Sequence, residues 1–229
     1  MVKPNNKYTE LQKKFYVGGT TNHEIHNDNK DYWDFLLSDL KDNKKWVNKK
    51  ALDFACGKGR NILNMLSLCD FIRVDGIDIS NGNIEYCKNT YDKNKSEWYV
   101  NNGVDVSDLN TKEYDFIMST IALQHIPVYD IRKSLISDLF RTLKDGGVFS
   151  FQMGYGDDLI DGLGRKRVSY FDNFYDATGT NSEIDVRITN VEDVKTDLEE
   201  IGFKNITFNI KPSFSDFGHN EWVYIRCEK

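Results

Sequence analysis

The sequence predicts an α/β domain in which a mostly parallel sheet is covered by helices on both faces. Three observations carry that expectation. Strand and helix patterns alternate from residue 50 to residue 153, the pattern of a parallel sheet crossed by helices. Gly57 and Gly59 stand where an apolar run gives way to a helical pattern, a place where backbone often closes around a ligand. The next apolar run, "RVDGIDIS", places a carboxylate, Asp78, at its end.

Taken in order, residues 1–45 are a polar N-terminal cap segment with scattered aromatics, among them Tyr8, Phe15 and Tyr16. Within it, "DYWDFLLSDL" brings Trp33, Leu36, Leu37 and Leu40 to one helical face. "KKALDFA" reads as a short buried strand, and residues 59–68 as a helix. "RVDGIDIS" is a strand, and "NGNIEYCKNTY" a helix through Ile84, Cys87, Lys88 and Tyr91. "EWYVN" and "YDFIMST" are strands. "DIRKSLISDLFRTL" places Ile131, Leu135, Leu139 and Leu143 at every fourth position, with Ile136 and Phe140 widening the stripe. "DGG" at 145–147 is expected to stop that helix, and "VFSFQM" to be the next strand.

Residues 154–189 break the alternation. They are rich in glycine and aromatics and weak in periodicity, and an irregular segment of that length inside a domain points to an inserted substrate cap. Order returns with Val191, Val194, Leu198 and Ile201 on a helical face, Gly202 as its stop, and the strands "KNITFNI" and "NEWVYIRC". The whole chain, 1–229, is expected to be one domain: a cap segment at 1–45, a ligand-binding core at 50–153, the insertion at 154–189, and a C-terminal helix with edge strands at 190–229.

Composition narrows the function. The net charge of -6 repels phosphate backbones and argues against nucleic acid as a partner. "GRKR" at 164–167 is the one compact basic cluster. The four cysteines, Cys56, Cys69, Cys87 and Cys227, form no CxxC pair. They fit neither a zinc site nor a disulfide framework and read as reduced thiols of a cytoplasmic protein. The N-terminus lacks the apolar core of a signal peptide, and no run is long enough to span a bilayer. His23 and His26 stand three apart, and Asp157, Asp158 and Asp172 read as solvated loop carboxylates, so no metal site is expected.

The glycine turn separates candidate ligands. A dinucleotide fingerprint needs a third glycine where Ile62 stands. A phosphate loop of the GxxxxGK[ST] form is absent. What remains is Asp53, Ala55, Gly57 and Gly59 on the turn, with Asp78 on the next strand end. Carboxylates near a close-approach turn suit a cationic amino-acid nucleoside. Read singly, Asp53 also suits a helix cap, and Asp78 and Asp105 suit ordinary turns.

In these stretches the sequence resembles the class I S-adenosylmethionine-dependent methyltransferases, particularly those acting on small molecules. "LDFACGKGR" is similar to their first motif, "GIDIS" to their ribose-binding strand end, and "NGVDVSDL" to the segment that meets adenine. "YDFIMSTIALQHI" resembles their fourth motif, and "LFRTLKDGGVFSFQM" the helix, loop and strand that follow it. Ala55 departs from the glycine that many members carry. The resemblance implies a Rossmann-like seven-stranded sheet with its last strand antiparallel. It implies S-adenosylmethionine as cofactor and S-adenosylhomocysteine as product. It also implies that Asp53 orients the amino-acid part and that Ala55, Gly57 and Gly59 let the backbone approach. Asp78 would hold the ribose hydroxyls and Ile79 the adenine face. Asp105 would accept from the adenine amino group, Val106 would donate its N–H, and Ser119 would contact the methionine part.

For the acceptor, His125 in "LQHIP" follows the fourth strand and is the candidate general base; support of its own loop is the other reading. Tyr16, His26, Tyr155, Tyr170 and Phe174 are candidate acceptor-binding residues. No Asp/Asn-Pro-Pro-Tyr/Phe motif and no Pro-Cys nucleophile follows the fourth strand, which disfavours two classes of DNA-modifying enzyme. A hydroxyl or amine of a sugar or natural-product metabolite is the expected methyl acceptor. A protein or RNA methyltransferase, a nicotinamide-dependent oxidoreductase and a non-catalytic nucleotide-binding domain stand as alternatives.

Overall fold

A computed structural model describes residues 10, 12, 13, 36, 46–156, 186–212 and 221–229. Seven strands form one sheet: β1 (Lys50–Phe54), β2 (Arg73–Asp78), β3 (Trp98–Val100), β4 (Tyr114–Ser119), β5 (Leu143–Tyr155), β6 (Lys204–Pro212) and β7 (Glu221–Glu228). Their order is β3-β2-β1-β4-β5-β7-β6. The pairs β1–β2, β2–β3, β1–β4 and β4–β5 are parallel, and β7 runs antiparallel to both neighbours. The expected mixed sheet and its antiparallel last strand are thus present.

The strands form because their sequences can be buried on both faces. β4 is buried at all six positions, and β5 from Val148 to Gly154, as the near-continuous apolar runs of a covered sheet require. One face packs Leu52, Phe54, Ile117, Phe149, Phe151 and Val223 against the helices α3 (Tyr129–Thr142) and α4 (Val191–Ile201). On the other, Ala51, Phe116, Met118, Val148, Trp222 and Tyr224 join Leu36, Trp46 and the helices α1 (Arg60–Leu68) and α2 (Asn81–Thr90). Leu36 is helical and buried; the rest of the helix expected at 31–40 lies outside the described residues.

Helix ends follow local chemistry at three points. Ser80 caps α2 by accepting from the Asn83 N–H. Asn190 caps α4 by accepting from the Glu192 N–H, and Gly202 ends α4 at a φ of 114°, the left-handed stop that glycine tolerates. The expected glycine stop of α3 is corrected. That helix ends at Thr142, and its C-cap, Leu143, is extended. Asp145-Gly146-Gly147 instead forms an irregularity in β5, where the register to β4 shifts between Tyr114 and Phe116. Leu143 is committed to pairing with Tyr114, so sheet pairing ends the helix before the glycines are reached.

The residues at both ends of the 154–189 segment are tied to the sheet. β5 runs on to Tyr155, and Tyr155 bridges to Ile188. Val186 N donates to Gln124 O, Ile188 N to Gly154 O and Gly156 N to Ile188 O. Gly156 and Val186 are therefore held close together, past the ends of β4 and β5. The four cysteines are free and buried, as expected. No helix among the described residues is long and apolar enough to cross a membrane.

Candidate active site

The chain runs outward from β1 through β2 to β3, then returns to place β4 on the other side of β1. Ligands of open parallel sheets bind at the carboxyl ends of strands where the order reverses in this way. Asp53 stands one residue before the end of β1 and Ser119 closes β4 at that point, with Asp53 in register with Met118.

Asp53 is fully buried, and only one of its oxygens is satisfied. Asn61 Nδ2 donates to Asp53 Oδ1 at 3.3 Å and to Thr120 Oγ1 at 2.8 Å. Arg60 Nε holds the Asn61 carbonyl oxygen at 3.2 Å, which fixes the amide so that its N–H groups face the carboxylate and the hydroxyl. Among the described residues Asp53 Oδ2 has no partner, nor does the buried Ser119 hydroxyl oxygen. Burial pushes the Asp53 carboxyl up to about 7, against the pull of Asn61 and Arg60.

Asp75, the buried carboxylate of β2, is a control within the same sheet. Its Oδ1 accepts from Glu97 N at 2.8 Å. Its Oδ2 accepts from Arg73 Nη2 at 2.8 Å and from the Tyr114 hydroxyl at 3.0 Å. A carboxylate kept for structure is fully paired here. Asp53 is not, and its spare oxygen is an acceptor for a cation that the fold itself does not supply. Asp53 also caps no helix, since the N-cap of α1 is Gly59.

The glycines of the turn differ in purpose. Gly57 has a φ of +54°, and a Cβ built on it would meet nothing within 4 Å. That open side is room for a ligand against the backbone. Gly59 has a φ of +81°, and a Cβ there would stand 2.6 Å from a Tyr91 ring carbon and 3.1 Å from Trp98. Tyr91 and Trp98 stack at 5.3 Å behind the turn, and the Tyr91 hydroxyl donates to Lys58 O. Gly59 is therefore required by aromatic packing as much as by any ligand. Ala55 holds a φ of 61°, a left-handed conformation that costs about 1 kcal/mol for a residue with a Cβ.

Asp78 ties this turn to β2. Its Oδ2 accepts from Gly57 N at 2.9 Å, and its Oδ1 from Ser80 N at 2.8 Å and Asn83 Nδ2 at 3.4 Å. Burial raises its carboxyl above the usual range, while these donors pull the other way. Ile79 follows directly, half-buried. Across the sheet, Asn101 N donates to Asp78 O at 2.9 Å, so the chain after β3 passes alongside.

The adenine candidates fare unequally. Asp105 Oδ1 accepts from Asn102 Nδ2, Ser107 N and Ser107 Oγ. Those donors hold its carboxyl below the ordinary value despite some burial. The backbone donor expected at Val106 is corrected: Val106 N donates to Asp138 Oδ2 of α3 at 2.8 Å, so that N–H is committed to the protein. Asn101, buried after β3, and Asn61 were missed from sequence. Asparagine in a turn or first helical turn carries no signal until the strands are in register.

At the acceptor side, His125 lies in a 3-10 turn, Leu123–His125, directly after β4. It is half-buried, and its N–H donates to Ala122 O. Ile121, just before, has a φ of 51°, an outlier for a β-branched residue of the kind found at functional loops. Tyr155 is half-buried at the end of β5. The other acceptor candidates, Tyr16, His26, Tyr170 and Phe174, lie outside the described residues. Among the described residues no cluster of three His, Cys, Asp or Glu could hold a metal ion.

Comparisons with known proteins bear on this geometry. Residues 51–147 match the family model described as a methyltransferase domain. An S-adenosylmethionine-dependent methyltransferase from Mesorhizobium loti superposes with a TM-score of 0.63 at 15% identity, over 89% of this chain and 100% of that one. One from Methanosarcina mazei gives 0.61 at 20% identity, over 80% and 92%. A phosphoethanolamine N-methyltransferase from Haemonchus contortus, in complex with phosphomonomethylethanolamine and S-adenosylhomocysteine, gives 0.60 at 15% identity, over 85% of this chain and 51% of that one. These likenesses establish the fold. No curated protein matches the sequence.

Proposed function

We propose, from the match of residues 51–147 to the methyltransferase-domain model and the fold shared with S-adenosylmethionine-dependent methyltransferases, that this chain methylates a small molecule at a hydroxyl or amine. The observation that carries the cofactor assignment is the spare oxygen of Asp53, a buried carboxyl group at the reversal of strand order. The residues present fit S-adenosylmethionine. Asp53 would face its ammonium, the open side of Gly57 its chain, Ser119 its methionine part, and Asp78 with Ile79 its nucleoside. When bound, that cofactor supplies a methyl group on a sulfonium, an electrophile that needs no metal.

The protein's own task is then alignment and exclusion of water. Asn61 fixes Asp53 and Thr120 in one hydrogen-bonded unit. His125, in the 3-10 turn that follows β4, would take the proton from an acceptor hydroxyl. Tyr155 would line the acceptor side, together with Tyr16, His26, Tyr170 and Phe174 from the N-terminal segment and the insertion. Two features support a small acceptor over a protein or RNA: the chain is acidic overall, and the segment rich in glycine and aromatics begins and ends at Gly156 and Val186, held together past β4 and β5.

The test is mass spectrometry of small molecules retained by the purified protein, followed by transfer of labelled methyl from S-adenosylmethionine to metabolite fractions. Label in a compound of low mass is the expected result. Label only in protein or RNA would replace the acceptor assignment, and label nowhere, with no cofactor retained, would remove the function.

A further inference from the structure

We propose that Gln152 recognises a hydroxyl group of the methyl acceptor, an inference that rests on the methyl-transfer reading above. Gln152 lies on β5 with a relative exposure of 0%. Among the described residues neither its amide nitrogen nor its amide oxygen has a hydrogen-bond partner. A buried amide left wholly unpaired is destabilising, and native proteins rarely keep one without a use. The neighbouring polar residue on the same strand shows the contrast: Ser150 Oγ donates to Leu36 O.

The sheet register places Gln152 level with Thr120 and two strands from Asp53. Phe149, Phe151 and Met153 belong to the core on the α3 side, so Ser150 and Gln152 face the other way. Gln152 pairs with Tyr224, and Tyr224 packs in the core shared with Leu36, Trp46 and Met118. Ser119 pairs with Phe151, which brings Thr120 level with Gln152 on the next strand. Thr120 Oγ1 accepts from Asn61, and Asn61 also holds Asp53. A row of polar groups therefore crosses the sheet from the Asp53 carboxyl to Gln152. Strand spacing of about 4.8 Å separates each step.

The chemistry of the row selects the ligand. A glutamine amide offers a donor and an acceptor side by side and carries no charge. A hydroxyl, which also donates and accepts, can satisfy both. An ammonium can only donate and a carboxylate can only accept, and either would leave half of the amide unpaired in a buried site. Thr120, whose oxygen already accepts from Asn61, retains its own O–H to give.

The experiment compares the parent with Gln152→Met, which keeps the volume and removes both polar atoms. Three readouts are taken: melting temperature without ligand, S-adenosylhomocysteine affinity, and methyl transfer to glucose and myo-inositol as hydroxyl probes and to putrescine and phosphoethanolamine as amine probes. The expected result is a melting temperature raised by about 2–4 °C and cofactor affinity within about twofold of the parent. For a hydroxyl probe, KM rises about tenfold or more with kcat changed less than about threefold. A lowered melting temperature, including failure to fold, would show that the amide is satisfied within the protein and would overturn the inference. Transfer to amine probes alone, at equal KM in both proteins, would overturn it too. Failure of the parent to bind S-adenosylhomocysteine would instead strike the methyltransferase reading itself.

Discussion

Asp78 Oδ2 accepts the Gly57 N–H at 2.9 Å and so joins the end of β2 to the turn that follows β1. The same carboxylate accepts from Ser80 N and Asn83 Nδ2. It shapes the turn before any ligand arrives. Asp78→Ala is expected to weaken S-adenosylmethionine binding by about 10- to 150-fold, the equivalent of about 1.5–3 kcal/mol for charge-assisted bonds, and to lower the melting temperature as well. Calorimetry beside thermal unfolding checks both. Unchanged affinity would detach Asp78 from the site.

Gly57 and Gly59 separate cofactor approach from packing. Gly57→Ala meets no atom within 4 Å, so the cost to the free protein is the positive φ alone, about 1 kcal/mol, while the new methyl occupies the ligand's side. Gly59→Ala puts a methyl 2.6 Å from the Tyr91 ring and should cost more, about 2–4 kcal/mol. The expected pattern is cofactor affinity lost most in Gly57→Ala and stability lost most in Gly59→Ala, read by calorimetry and denaturant unfolding. The reverse pattern would contradict this division.

Asp53 predicts a pH dependence. Burial raises its carboxyl from 3.8 to about 7. Because the folded value lies above the unfolded one, its contribution to stability is complete below pH 4 and is lost as pH rises through about 7. Asp53→Asn cannot ionise, so the free variant should gain on the parent in melting temperature between pH 5 and pH 8. A cationic cofactor needs the carboxylate, so parent affinity should rise with pH through about 7 and protons should be released on binding near pH 6.5. Calorimetry in buffers of different ionisation enthalpy measures this. A flat profile in the parent, matched by Asp53→Asn, would contradict it.

His125 tests the acceptor chemistry. As general base, its replacement by Ala or Asn should lower kcat by about 10²–10⁴ with little change in cofactor affinity. Asn keeps a hydrogen bond but cannot take the proton. Full activity in His125→Asn with an unchanged pH profile would leave His125 as loop support.

Much of this was legible along the chain. The strand, glycine turn and helix at 50–68, the carboxylate ending β2 and the Gly202 stop depend on local chemistry, and each stands where its residues predict. Other features depend on what folding brings alongside. Asp145-Gly146-Gly147 has the form of a helix stop, but β4 claims Leu143 first. Val106 has the position of an adenine donor, but Asp138 from a helix more than thirty residues on takes its N–H. Gly59 has the look of a ligand turn, but Tyr91 and Trp98 also require it. Asn61 and Gln152 carry no local signal, because their significance comes from the Asp53 carboxylate and from the sheet register.

The central claim is that the turn after β1 and the spare oxygen of Asp53 hold S-adenosylmethionine. Isothermal titration of the parent with S-adenosylmethionine at pH 8, and with a nicotinamide dinucleotide under the same conditions, tests it most directly. The account predicts one binding site per chain for S-adenosylmethionine, lost in Asp53→Ala, and no heat of binding for the dinucleotide, since Ile62 stands where a pyrophosphate would need glycine. Saturable binding of the dinucleotide with none of S-adenosylmethionine would contradict it.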